Sequence, residues 1–292
     1  MAVFIRSRRG GDAYHSKEGF DSMANIIADY HTHSTISPDA KGPMEDTCRA
    51  ALEKGLSEIV FTDHFECRAP GQKGFFFDLP YLEGYFKELS RCQALFDGRL
   101  VIKSGIEMGQ ANVNPQMEKD VMDAFSFDYI IGSVHKLDNI DLGNMTYTPE
   151  NVDGICRENL RYLMQLAKTG TFDCMGHVDL VKRYAAKQGM AVDLMHYREE
   201  LEEIFRTLIG RGKGIEINTS GLRQEAREAL PSLSILKLYR SLGGEILTVG
   251  SDAHIGKDVA AGFDTAREMA LEAGFTHLAL YKENKPSFYS IV

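Results

Sequence analysis

Seven short runs rich in β-branched and aromatic residues punctuate this chain, at 25–31, 57–64, 100–108, 127–135, 172–180, 214–219 and 245–252. Runs of this length and composition read as buried strands. Stretches with helical spacing lie between them, at 44–54, 81–96, 149–168, 194–209 and 233–242, and a last one at 259–273 follows the seventh run. Gly55, Gly98, Gly170, Gly212 and Gly274 fall where these helices should stop, the usual place for a residue that tolerates positive φ. Strand and helix in alternation call for parallel strands joined by right-handed crossovers, as an open doubly wound sheet or as a closed barrel. No Gly-x-Gly-x-x-Gly or P-loop pattern follows any run, which argues against a nucleotide-binding open sheet.

The side chains at the ends of the runs narrow the choice. The first ends in Asp29 and His31 with His33 just beyond, the second in Thr62, Asp63 and His64, and the third in Glu107. His135 ends the fourth, His177 lies in the fifth, Glu216 and Asn218 in the sixth, and the seventh leads into Asp252 and His254. Barrel enzymes build their sites on the rim made by the C-terminal strand ends, so this placement favours the barrel. In an extended chain residues i and i+2 point to the same side, so His31 and His33 can face one ion, and Asp252 and His254 are expected to repeat that geometry.

Six histidines together with Asp39, Glu107 and Asp252 are more ligands than one four-coordinate ion can use, which suggests two or three divalent ions. Imidazole and carboxylate donors without thiolate suit zinc, manganese or iron. The expected chemistry is metal-dependent hydrolysis, with Glu107, Asp252 and His254 catalytic through a hydroxide that the ions generate from water. Asp63 has two readings: an acceptor for the N–H of a ligand imidazole, or a strand-end carboxylate that caps backbone groups.

The runs ADYHTHSTISPDA, FTDHFE, GIEMG, IGSVH, MGHVDLVKRY, IEINTSGLR and GSDAH, in order from residue 28 to 254, resemble the polymerase and histidinol phosphatase (PHP) family, and its histidinol-phosphate phosphatase branch in particular. The resemblance implies a distorted (β/α)7 barrel with a trinuclear metal centre at the C-terminal strand ends. It assigns one ion to His31, His33, Glu107 and Asp252, a second to Asp39, His64 and His254, and a third to a bridging Glu107 with His135 and His177. It further implies hydrolysis of L-histidinol phosphate, a step of histidine biosynthesis, with Arg183 and Arg223 gripping the substrate phosphate. Planar guanidinium groups suit that task because they meet phosphate oxygens in bidentate fashion. Ser133 and Lys136, on either side of His135, could add contacts. Three alternatives stay open: a related phosphoesterase acting on another small ester or a nucleotide, an amidohydrolase-type barrel, and a non-catalytic metal-binding module.

Residues 1–22 lack periodicity and read as a flexible tail or extension, and 23–292 as one domain. The net charge of -9 disfavours long nucleic acid and anionic membranes; the expected partner, a small phosphate ester, is what the resemblance and the two arginines imply. With no apolar run near the ~18 residues that span a bilayer, and with five scattered cysteines, the chain reads as cytoplasmic with reduced thiols. His15, His196 and His277 read as surface residues, and the loop around Phe75–Phe77 as a candidate lid or a packed patch.

Overall fold

The computed structural model describes residues 26–72 and 79–292. The expectations for residues 1–22, His15 and the Phe75–Phe77 loop lie outside the described residues. In chain order the strands are β1 (Ala28–Thr32), β2 (Glu58–Phe61), β3 (His64–Glu66), β4 (Val101–Gly109), β5 (Tyr129–Ser133), β6 (Lys136–Leu137), β7 (Ile140–Asp141), β8 (Cys174–Met175), β9 (Gly214–Asn218), β10 (Leu247–Gly250), β11 (His277–Lys282) and β12 (Lys285–Ser290). The α-helices are α1 (Met44–Glu53), α2 (Leu79–Leu95), α3 (Pro115–Ala124), α4 (Val152–Thr169), α5 (Leu180–Lys187), α6 (Arg198–Gly210), α7 (Leu233–Ser241) and α8 (Phe263–Glu272).

Parallel pairing runs in the order β1-β2-β4-β5-β8-β9-β10, and β3 continues the line of β2 along β4. Thr32 bridges Ala253, the Asp252 N–H donates to the His31 carbonyl (2.8 Å) and the His33 N–H to the Ala253 carbonyl (2.9 Å), so the first strand meets the last. The result is a nearly closed parallel barrel with surrounding helices, the (β/α)7 architecture expected from the sequence. All seven expected strands are present.

Why the strands read so clearly follows from their burial. Every residue of β1, β5, β9 and β10 is buried, as parallel strands covered on both faces must be. Inside the barrel, Tyr30, Val60, Tyr129, Ile131 and Cys174 form a compact core together with Ala279 and Tyr281 of the C-terminal hairpin. That hairpin, β11–β12, covers the N-terminal strand ends. The Asn284 N–H donates to the Asp128 carbonyl just before β5 (3.0 Å), Asn284 Nδ2 donates to Asp173 just before β8 (2.8 Å), and the Tyr281 N–H donates to the Tyr30 hydroxyl (2.6 Å). Among the described residues the hairpin thus plugs one end and leaves the opposite end open to a ligand.

Some elements differ from expectation. The fifth run forms only the two-residue β8, because the chain turns between His177 and Leu180, whose N–H donates to the His177 carbonyl (2.9 Å), and α3, α5 and the C-terminal hairpin have no counterpart among the expected elements. His277 accordingly sits on a strand, though it is exposed as expected, as is His196. Gly55, Gly98, Gly212 and Gly274 adopt positive φ, whereas Gly170 does not: it is extended at φ -64. Crowding explains glycine there, since a Cβ would lie 2.7 Å from Leu166 Cδ1 and 3.0 Å from the Leu166 carbonyl oxygen. All five cysteines are free and buried. Among the described residues no helix is long and apolar enough to cross a membrane.

Candidate metal centre

Glu107, near the end of β4 and paired in register with His64 on β3, is 1% exposed and lies at the centre of the rim. Its two oxygens face different partners. Oε1 lies 2.8 Å from His177 Nε2 and 3.0 Å from His135 Nε2, and these two nitrogens are 3.4 Å apart. Oε2 lies 2.8 Å from His64 Nδ1, 3.4 Å from His31 Nε2 and 3.7 Å from His33 Nε2. Asp252 Oδ1 completes the second group at 3.3 Å from His33 Nε2 and 3.8 Å from His31 Nε2. Toward solvent, the exposed Asp39 places Oδ2 3.2 Å from His254 Nε2 and 3.6 Å from His64 Nε2. All nine side chains singled out in the sequence therefore converge on one rim.

Local backbone and neighbours account for these positions. His31 on β1 and His33 just beyond its end both face the centre as expected, but the Asp252–His254 pair does not repeat that geometry. Asp252 is in the left-handed region at φ +53, held there while its N–H bonds to the His31 carbonyl, so a turn rather than a strand brings its carboxylate back beside His254. Glu216 on β9 takes His31 Nδ1 at 2.8 Å and also accepts the His177 N–H (3.0 Å) and Asn218 Nδ2 (2.9 Å). Glu66 takes His135 Nδ1 at 2.6 Å and a further bond from Gln110, whose own carbonyl oxygen accepts the His135 N–H at 2.6 Å. A carboxylate on Nδ1 fixes the ring and leaves Nε2 as a free donor to an ion. The Ser133 hydroxyl orients Glu107, donating to Oε1 at 2.7 Å.

The sequence reading gave Glu216, Glu66 and Gln110 no role. Glu216 follows the pattern of a carboxylate at a strand end, and Glu66 lies two residues beyond His64, where an extended chain returns to the same side; Gln110, at φ +55, carries no such signal. Asp63 takes the second of its two readings. Its oxygens accept the Ser34 N–H (2.8 Å), the Ser37 N–H (3.0 Å) and both serine hydroxyls (2.9 and 2.7 Å), with no imidazole among its partners in the described residues. It pins the loop after β1, from which the Ser37 hydroxyl lies 3.3 Å from His33 Nδ1.

The donor set fits divalent cations. Among the described residues, His31 Nε2, His33 Nε2, His64 Nδ1 and Glu107 Oε2 are buried without a hydrogen-bond partner, the His64–Glu107 approach being close but not aligned for one. Such atoms are costly unless something else satisfies them. Ligand atoms fall into overlapping groups within 4.8 Å of one another: His31–His33–Asp252, His31–Glu107–His177, His64–Glu107–His135 and His33–His64–His254. Charges are matched accordingly. Burial disfavours ionisation of Glu107 and Asp252, yet the surrounding imidazoles outweigh it and hold both well below the usual carboxylate range. Burial likewise opposes charge on His31 and His64, but the facing carboxylates raise both well above an ordinary imidazole. His33 is driven the other way by burial and by the neighbouring His254 and His64 rings.

A cavity of about 240 Å³ opens over Glu107. Arg183, on α5, lies in its wall with Nη1 3.6 Å from Asp252 Oδ2, and so does Lys136 on β6, 3.4 Å from Glu66. Arg223 is at the same end of the barrel but not in the cavity wall. Its Nη2 donates to the Ser251 carbonyl (2.7 Å) and its Nε lies 3.8 Å from Asp258, so the two expected arginines are placed differently.

Known proteins resemble the chain along most of its length. The histidinol-phosphatase of Lactococcus lactis is 32% identical over 263 residues, covering 88% of this chain and 95% of that protein. The probable histidinol-phosphatase of Clostridium acetobutylicum is 29% identical over 248 residues, with 84% and 93% covered. The crystal structure of the Lactococcus lactis histidinol phosphate phosphatase complexed with zinc, L-histidinol and phosphate superposes with a TM-score of 0.74 at 30% identity, over 89% of this chain and 98% of that one. A putative histidinol phosphatase from Listeria monocytogenes shares the fold at a TM-score of 0.70 and 19% identity, over 82% of this chain and 99% of that one. The model of the PHP domain matches residues 29–220, more than half of the chain, and with the relatives above it shows that this chain belongs to the PHP domain family.

Proposed function

We propose that this protein is a metal-dependent phosphomonoesterase that converts L-histidinol phosphate and water to L-histidinol and phosphate. The observation that carries the reading is the division of Glu107, one oxygen among His135 and His177 and the other among His31, His33 and His64, which suits a bridging carboxylate. As in the assignment that the family resemblance implies, the ligand groups we propose are His31, His33, Glu107 and Asp252; Asp39, His64 and His254; and Glu107, His135 and His177, with His64 also beside Glu107. Zinc, manganese and iron are all compatible with these donors. Divalent ions at such positions supply a water of lowered pKa and positive charge against the phosphoryl oxygens.

The chain's own residues do the rest. Glu216 and Glu66 hold the Nδ1 protons of His31 and His135, so that both rings present Nε2 to the centre. Arg183 in the cavity wall offers a planar guanidinium to the phosphate dianion. Arg223, bound to the Ser251 carbonyl, steadies the strand end that carries Asp252 and approaches the phosphate less directly. The likeness in sequence and structure to the Lactococcus lactis enzyme supports histidinol as the alcohol.

The test is a substrate panel scored by phosphate release, on protein whose metal content has been measured. Two to three metal equivalents are expected, with L-histidinol phosphate turned over far faster than p-nitrophenyl phosphate or a dinucleotide. Comparable rates on many esters would remove histidinol and leave a general phosphoesterase.

A further inference from the structure

The cavity over Glu107 has one wall that metal binding does not use. Asp141 ends the small β6–β7 hairpin and starts a single 3-10 turn, Leu142–Asn144, by accepting the Gly143 N–H through Oδ1 at 2.7 Å. The turn packs closely against the ring of Tyr184: a Cβ on Gly143 would come within 2.9 Å of Tyr184 Cε1. Asp141 and Tyr184 thus form a continuous surface facing the cavity, next to Arg183. Burial raises the Tyr184 hydroxyl, the Arg183 charge opposes that, and the charges of Asp141, Asp252 and Glu107 add to it.

Charge pairing separates Asp141 from the other acids in this cavity. Glu66 meets His135 and Lys136, Glu107 meets imidazoles, Asp252 meets Arg183, and Asp39 meets His64 and His254. Among the described residues Asp141 has no ion pair; its backbone pairs with Lys136 across the hairpin, and its carboxylate makes one hydrogen bond, through Oδ1. A carboxylate with a free oxygen on the wall of a substrate cavity, where every other acid is already matched, is an acceptor for a cation that the ligand brings.

We propose that Asp141 is a specificity-determining residue: its free carboxylate oxygen binds the cationic nitrogen of the alcohol half of the substrate, so the site selects phosphate esters of amino alcohols over neutral esters. The inference rests on the phosphomonoesterase reading above and names a feature of the alcohol. Metal donors and Arg183 hold the phosphate end, which all esters share, so discrimination has to come from the far wall. A charge contact made by one ester and not by another changes kcat/KM for the first alone.

The experiment compares the metal-loaded wild-type enzyme with Asp141→Asn on L-histidinol phosphate and on N-acetyl-L-histidinol phosphate, which lacks the ammonium charge. Asparagine keeps an oxygen for the Gly143 N–H, so the turn is retained and only the charge is lost. The variant should lose about tenfold in kcat/KM on the cationic ester, mainly through KM, and several-fold less on the acetylated one. An equal loss on both esters, or no loss on either, would overturn the inference. Wild-type enzyme that ignored L-histidinol phosphate would instead overturn the substrate reading; the Asp141 comparison would then be made on 3-aminopropyl phosphate against propyl phosphate, with the same two outcomes deciding it.

Discussion

At the level of single residues, the side chains that hold the ligands are as consequential as the ligands. Glu216 accepts three bonds with two oxygens: His31 Nδ1 on one, and the His177 N–H and Asn218 Nδ2 on the other. Glutamine has one acceptor oxygen, so in Glu216→Gln an amide N–H must face another donor whichever way the amide is turned. The variant should fold but bind metal about 10–100-fold more weakly, measured by competition with a chromophoric chelator. Unchanged affinity would mean that His31 is positioned by strand packing alone. All nine proposed ligands were legible in the sequence because imidazoles and carboxylates recur at strand ends and because the motifs resemble a family. The orienting layer was less so. Glu216 carries only the signal of a carboxylate near a strand end and Glu66 only that of alternation with His64, and Asp63, adjacent to a ligand, serves the serine loop; which neighbour a carboxylate reaches depends on how separate strands come together.

Among the elements, the buried parallel strands were the most readable, since burial on both faces writes them as apolar runs. Helix α3 is hard to read because its apolar stripe is short, Met117, Val121 and Met122, and only Glu118 and Val121 of its ten residues are fully buried; Asn114 as its cap and Pro115 at its first position are the further signals. Two turns of α5 were hidden behind the strand that precedes them. Barrel closure was legible least of all. It depends on how closely β10 approaches β1 at Gly250, where a Cβ would fall 2.2 Å from His31 Cβ and 3.1 Å from the His31 backbone nitrogen. Neither atom belongs to a flexible side-chain end, so the strands themselves would have to separate. Gly250→Ala should therefore cost about 1–3 kcal/mol or more in urea unfolding and reduce metal content at the same time, because the shift falls on a ligand residue. A variant with wild-type stability and metal content would show that the seam between the first and last strands has slack.

For the molecule as a whole, the barrel keeps a cluster of imidazoles and carboxylates in a core that would otherwise favour apolar groups, and its stability should depend on what neutralises them. In metal-free protein that role falls to protons. Burial opposes charge on the rings, but Glu107 and Glu66 raise His135 from 6.5 to about 10, and facing carboxylates also raise His31, His64 and His254. A histidine whose pKa is higher folded than unfolded stabilises the fold fully below its unfolded value, and that contribution disappears as pH climbs through the folded value. Metal-free protein should thus lose stability from pH 6.5 toward about 10. Bound ions reverse the sign, since the same rings must be deprotonated to act as ligands and competition from protons eases as pH rises. Ligation then stabilises the folded state in proportion to metal affinity, so metal-loaded protein should gain stability over the same window until metal hydroxide forms. Thermal unfolding followed across that window, once with a chelator and once with excess zinc or manganese, should give Tm slopes of opposite sign. Parallel slopes would mean that the imidazole cluster does not exchange protons for metal, and would remove the link between this site and the stability of the barrel around it.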